Sequence, residues 1–103
     1  MSEFKKVARV DDIPVGKAKG FEVGYDKIVV CHTETGIYAV PDECTHEAMP
    51  LSDGRLKGNI LICRHHGARF DVTDGSVTHP PAIVPLETYE TKIENGEIFV
   101  KLD

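Results

Sequence analysis

Four residues in two short pairs carry the chemistry of this chain. Cys44-Thr45-His46 and, after residues 47 to 62, Cys63-Arg64-His65-His66 each offer one thiolate and one imidazole. Two sulfur and two nitrogen donors suit a two-metal site in which one metal takes both sulfurs and the other both imidazoles. Donors two or three positions apart in a pair cannot sit far from each other. Each loop would therefore supply one ligand to each metal, and the two loops would close on the site from opposite sides. Gly67, directly after the second pair, lets the backbone turn tightly there. A Cys2His2 set also serves zinc, and that reading stays open at this point. Zinc modules usually pair like with like, however, and nothing between the two pairs reads as a helix that could present the imidazoles. Imidazole in place of thiolate removes two negative charges, so an iron–sulfur centre ligated this way is easier to reduce. Its potential falls at roughly −150 to +300 mV, against about −400 mV for all-cysteine plant-type clusters.

The segments that must position these pairs are β-rich and short. Phe4–Val10 alternates as a first strand, and Pro14 and Gly16 break the chain before Ala18–Val23. Gly24-Tyr25-Asp26 turns into Lys27–His32, and Thr33 to Gly36 reverses into Ile37–Val40, so these two runs form a hairpin. Residues 41–68 have fewer β-branched residues and many turn formers. Asn59–Ile62 is the one clear strand there and delivers Cys63, while Ser52-Asp53-Gly54 and Lys57-Gly58 read as turns. Arg69–Val72 comes next, closed by Thr73-Asp74-Gly75, and then a proline loop, His79-Pro80-Pro81-Ala82. Thr88–Ile93 and Glu97–Leu102 flank Asn95-Gly96, a strong hairpin signal. No segment carries a 3.6-residue apolar period, so helix content is expected to be low. Regularly spaced short strands predict an all-β sandwich with a small metal-binding subdomain, about 42–70, inserted between strands.

The totals limit the alternatives. At 103 residues the chain reads as a single domain, 1–103, able to bury roughly two-thirds of its extended surface. No apolar run approaches the roughly 20 residues that span a bilayer, and no apolar signal core comes after Lys5-Lys6. The expectation is a cytoplasmic protein with no membrane association. A formal net charge of −5 disfavours nucleic acid and would suit a basic docking partner. Three cysteines, an odd count, argue against a disulfide framework. Cys31 ends the apolar run Ile28-Val29-Val30-Cys31 and is expected to be a buried core residue. His32 and His79 are expected to be exposed or hydrogen-bonded rather than ligands.

With these residues placed, the chain resembles the Rieske [2Fe–2S] proteins, most closely the small ferredoxins of bacterial ring-hydroxylating dioxygenases. Cys63-Arg64-His65-His66-Gly67-Ala68-Arg69-Phe70-Asp71 is similar to the family's second ligand loop and the strand after it, and the likeness covers essentially the whole chain. The resemblance implies an antiparallel β-sandwich and one [2Fe–2S] cluster held by Cys44, His46, Cys63 and His66. It favours His66 over His65 as the ligand. It further implies a monomeric one-electron carrier, with no catalysis of its own, between a flavin- or NADH-linked reductase and a terminal oxygenase. The small subunit of an assimilatory nitrite reductase is the second reading. Met49 and His65 stand where the cytochrome bc branch has the cysteines of an inter-loop disulfide. Ala68 and Phe70 stand where that branch has Ser and Tyr hydroxyls directed at the cluster. Fewer donors to the sulfurs place the expected potential below zero.

Overall fold

The computed structural model describes residues 3–44, 50–64, 67–79 and 84–102. Among the described residues ten strands form three antiparallel sheets. The first sheet has the order β1-β10-β9, from Glu3–Arg9, Glu97–Leu102 and Thr91–Glu94. The second, β2-β3-β4, is built from Lys17–Val23, Asp26–Thr33 and Gly36–Pro41. The third, β5-β6-β7-β8, is built from Arg55–Lys57, Ile60–Ile62, Arg69–Asp71 and Val77–His79. The described residues hold no α-helix, only one 3-10 turn at Val10–Asp12, whereas the sequence pattern runs the first strand on to Val10.

The second sheet is the middle layer, and β3 shows why. Ile28, Val29, Val30 and Cys31 are all fully buried, which a strand covered on one face could not achieve, because successive side chains point to opposite faces. Val29 and Cys31 join Val40, Leu61 and Phe70 in a core shared with the third sheet. Ile28 and Val30 join Ala39, Ile98 and Val100 in a core shared with the first. Each such side chain contributes about 1.5–3 kcal/mol by leaving water. The run of four apolar residues is therefore the sequence trace of a strand between two cores.

The hairpin at Asn95-Gly96 forms as expected. Both residues have positive φ, 51° and 75°, the geometry a two-residue type I′ turn requires. The expected strand over Thr88–Ile93 is shorter, starting at Thr91, because the backbone before it crosses between layers. Leu86 N–H donates to Gly75 C=O (2.8 Å), Tyr89 N–H to Ala39 C=O (2.9 Å), and Thr91 enters the ladder with Val100. Residues 86–91 thus stitch the third sheet to the second and the second to the first. Two strands escaped the sequence pattern, β5 and β8. Each has three residues and one inward apolar side chain, Leu56 or Val77, too little for a period to show. The turn expected at Lys57-Gly58 lies at Gly58-Asn59, with Lys57 in β5.

Burial pushes the Cys31 thiol from 9.0 up to about 12. The unfolded chain loses this proton first, so between those values it binds fewer protons than the folded chain, and stability falls as the pH rises. Urea unfolding at about pH 8 and about pH 10.5 should show a larger loss for the wild type than for Cys31→Ala, by at most about 1.4 kcal/mol per pH unit. Equal losses would mean that Cys31 is not buried as a thiol.

Candidate metal centre

The first ligand loop leaves β4 at Pro41 and is closed at its base by one carboxylate. Asp42 Oδ1 accepts the Ser52 backbone N–H at 2.7 Å, and Asp42 Oδ2 accepts the Ser52 hydroxyl at 2.8 Å. Asp42 N–H in turn donates to Lys27 C=O on β3 (2.9 Å), so the loop is anchored to the middle sheet. Gly20 on β2 lies against this clamp. A Cβ there would stand 2.8 Å from Ser52 Cβ and 3.1 Å from Asp42 Oδ2, so a side chain at position 20 would push the clamp away. Inside the closed loop Cys44 is 2% exposed and Leu51 fully buried.

The second loop is the hairpin between β6 and β7. Cys63 N–H donates to Ala68 C=O (2.8 Å) and Gly67 N–H to Cys63 C=O (3.1 Å), so both ends of the six-residue loop are fixed by backbone bonds. Gly67 has φ +74° with open space around its missing Cβ. Backbone conformation, rather than crowding, calls for glycine there. Cys63 is 1% exposed, and Ala68 and Phe70 are fully buried.

Gly54 brings the two loops together. It lies where the first loop's return meets β5, and a Cβ on it would stand 2.1 Å from the carbonyl oxygen of Ile62, the residue before Cys63. Cys44, Cys63, Leu51, Leu61, Ala68 and Phe70 belong to one buried cluster. None of the three cysteines forms a disulfide. Gly75 plays a related part at the far side, where its N–H donates to Asp71 C=O at 2.7 Å and a Cβ would meet Leu86 C=O at 2.0 Å. Leu86 thereby returns to the core that holds the cysteines.

Of the four donors expected from sequence, the structure places Cys44 and Cys63 in this one core. His46 and His66 lie outside the described residues, as do Met49, His65, Pro80, Pro81 and Ala82. Among the described residues no group of three or more His, Cys, Asp or Glu gathers elsewhere. The fit to an iron–sulfur cluster rests on donor chemistry. Two sulfurs sit in an apolar core at the bases of two loops, and each has an imidazole within the next three residues of the chain. His32 is no ligand: its Nδ1 is 2.7 Å from the Ile13 carbonyl oxygen, tying β3 to the segment after the 3-10 turn. His79 is exposed on β8, opposite Arg69. Sequence reading missed the clamp and Gly54. The visible signal for the clamp was an Asp and a Ser bracketing the first pair, which is too common to single out.

Known proteins are similar to this chain in sequence and in fold. A family profile, Rieske [2Fe-2S] domain, matches residues 3–90. The ferredoxin component of the naphthalene 1,2-dioxygenase/salicylate 5-hydroxylase systems of Ralstonia sp. is 38% identical over 93% of this chain and 92% of its own length. The solved complex of reduced oxygenase and oxidized ferredoxin in carbazole 1,9a-dioxygenase contains a similar chain. Its TM-score is 0.89 at 32% identity, over 95% of this chain and 92% of that one. A protein from Mycobacterium tuberculosis, assigned as the small subunit of an NADH-dependent nitrite reductase, shares the fold (TM-score 0.86, covering 100% of this chain and 97% of that one) at 16% identity.

The two loops should respond differently to small changes. Gly67→Ala meets only a backbone penalty of about 1–2 kcal/mol and should retain bound iron. Gly54→Ala must displace the Ile62 backbone, and Asp42→Ala removes two charge-assisted bonds of about 1.5–3 kcal/mol each. Both should lower iron bound per chain as well as the urea midpoint. Full iron content in Gly54→Ala and Asp42→Ala would show that loop closure does not position the donors.

Proposed function

The chain belongs to the Rieske [2Fe–2S] family, and from that membership we propose that it carries single electrons from a flavin- or NADH-linked reductase to a terminal ring-hydroxylating oxygenase. The observation that carries this reading is the pair of buried cysteines at the bases of two loops, in a chain matched nearly end to end by ferredoxin components of such systems. Its cofactor is one Rieske [2Fe–2S] cluster. We assign Cys44 and Cys63 to one iron and His46 and His66 to the other, within a single domain, 1–103, whose cluster-binding part is about 42–70. When bound, the cluster supplies one reversible electron per chain. The protein supplies the rest of the behaviour. The apolar core around Cys44 and Cys63 keeps water from the sulfur side, and the clamped loop and the hairpin hold the donors at a fixed separation.

The relatives named as ferredoxin components support an electron-transfer role rather than catalysis, and the family membership sets aside a zinc module. The likeness to the nitrite reductase subunit is one of fold alone, so the oxygenase reading stands first. A monomer working in the cytoplasm fits a carrier that docks two partners in turn, and no described helix is long and apolar enough to cross a membrane.

Position 68 is a fully buried alanine and position 70 a fully buried phenylalanine, both in the core that holds the cysteines. Neither brings a hydroxyl to that core, and fewer donors to the sulfurs favour a low potential. Spectroelectrochemical titration should show a coloured protein taking up one electron per chain with a midpoint below about 0 mV. Ala68→Ser and Phe70→Tyr should each raise it. A midpoint well above about +100 mV, or no one-electron wave, would contradict the reading.

A further inference from the structure

The outer face of the third sheet collects positive charge in a chain that is acidic overall. Cross-strand register puts Arg55, Ile62, Arg69 and His79 in one row, because Arg55 pairs with Ile62, Ile62 with Arg69, and Arg69 with His79. The next row of the same face carries Lys57, Ile60 and Asp71. Arg55, Lys57, Arg69 and His79 are exposed, and Arg64 is exposed in the adjoining ligand loop. Three of the chain's four arginines, Arg55, Arg64 and Arg69, line one groove with Cys63 and Gly67, where Asp53 is the only carboxylate among the described lining residues.

These cations are left uncompensated among the described residues. Among the described residues none of Arg55, Lys57, Arg64 or Arg69 makes an ion pair or a side-chain hydrogen bond. On the other two sheets Lys6 pairs with Glu97, Lys27 with Glu22, Lys92 with Glu94 and Lys101 with Glu90, while Lys5, Lys17 and Lys19 make no ion pair among the described residues. Of the two acids nearby, Asp71 is occupied by the backbone N–H and hydroxyl of Thr73. The neighbouring groove beside the first loop has the reverse charge, since Glu22, Asp42, Glu43 and Asp53, which lines both grooves, surround it with Lys27.

We propose that this basic face, with its groove at the second ligand loop, is the docking surface for an acidic patch on a redox-partner protein. The proposal rests on the ligand assignment above, which puts an iron at that loop. Half-buried Ile60 and Ile62 between arginines give an apolar centre with a cationic rim, the composition of a protein interface. Exposed side chains around an open groove suit a broad charged surface rather than a small anion. Unpaired arginines lose no internal partner when an acidic surface takes them. Steering by such a patch raises encounter rates and is weakened by salt.

The test uses the dithionite-reduced holoprotein in stopped flow, with acidic plastocyanin, basic cytochrome c and ferricyanide as one-electron acceptors. The wild-type rate with plastocyanin should fall as salt is added, although both proteins are net negative. Arg55→Gln/Arg69→Gln should slow that reaction about tenfold at low salt and flatten its salt dependence. The rate with cytochrome c and the midpoint potential should stay unchanged. A plastocyanin rate that rises with salt in the wild type, or equal slowing with plastocyanin and cytochrome c, overturns the dock. Slowing with ferricyanide but not with plastocyanin overturns it too, because the groove would then serve small anions. A preparation that takes up no electron overturns the carrier reading itself.

Discussion

Two sulfur donors from distant parts of the chain must share one dry core, and the rest of the fold serves that requirement. Thiolate is the form that binds metal, and an unpaired charge in an apolar core is costly. Cys31 shows the default outcome in the same cluster: with no metal loop around it, its thiol is held protonated, up to about 12. Cys44 and Cys63 differ in having an imidazole two or three residues further along the chain. Under the proposed ligand assignment, a metal centre held by the two loops would supply the positive charge that makes burial of two thiolates tolerable.

Bringing the donors together takes little chain. Asp42 and Ser52 close the first loop, Cys63 and Ala68 close the second, and the missing side chain of Gly54 lets the two backbones touch. The middle sheet makes this arrangement rigid. One face of β3 contributes Val29 and Cys31 to the core that holds the donors, while the other is locked against the first sheet through Ile28 and Val30. Residues 86–91 then fasten all three layers with single backbone bonds.

Much of this was legible in the sequence where signals are local. The mixed pairs pointed to the iron–sulfur cofactor that the family match bears out, Asn95-Gly96 to its hairpin, and the unbroken run Ile28 to Cys31 to a strand. What stayed hidden depends on partners far along the chain. Leu56 and Val77 are inward-facing only because the third sheet exists, and Tyr89 stands apart from a strand because Ala39 takes its N–H. The net charge is −5, yet sheet register gathers Arg55, Arg69 and Lys57 on one face beside the second loop. A sum over the chain cannot report such an asymmetry.

The central claim is that each loop gives one sulfur and one nitrogen, so that both nitrogens fall on the same iron. Nitrogen electron–nuclear double resonance on the reduced protein tests it most directly. Two distinct imidazole nitrogen couplings to the paramagnetic centre are expected, with one lost in His46→Ala and the other in His66→Ala wherever iron is retained. A cluster signal without nitrogen couplings, or colourless protein that carries zinc and no iron, would contradict it.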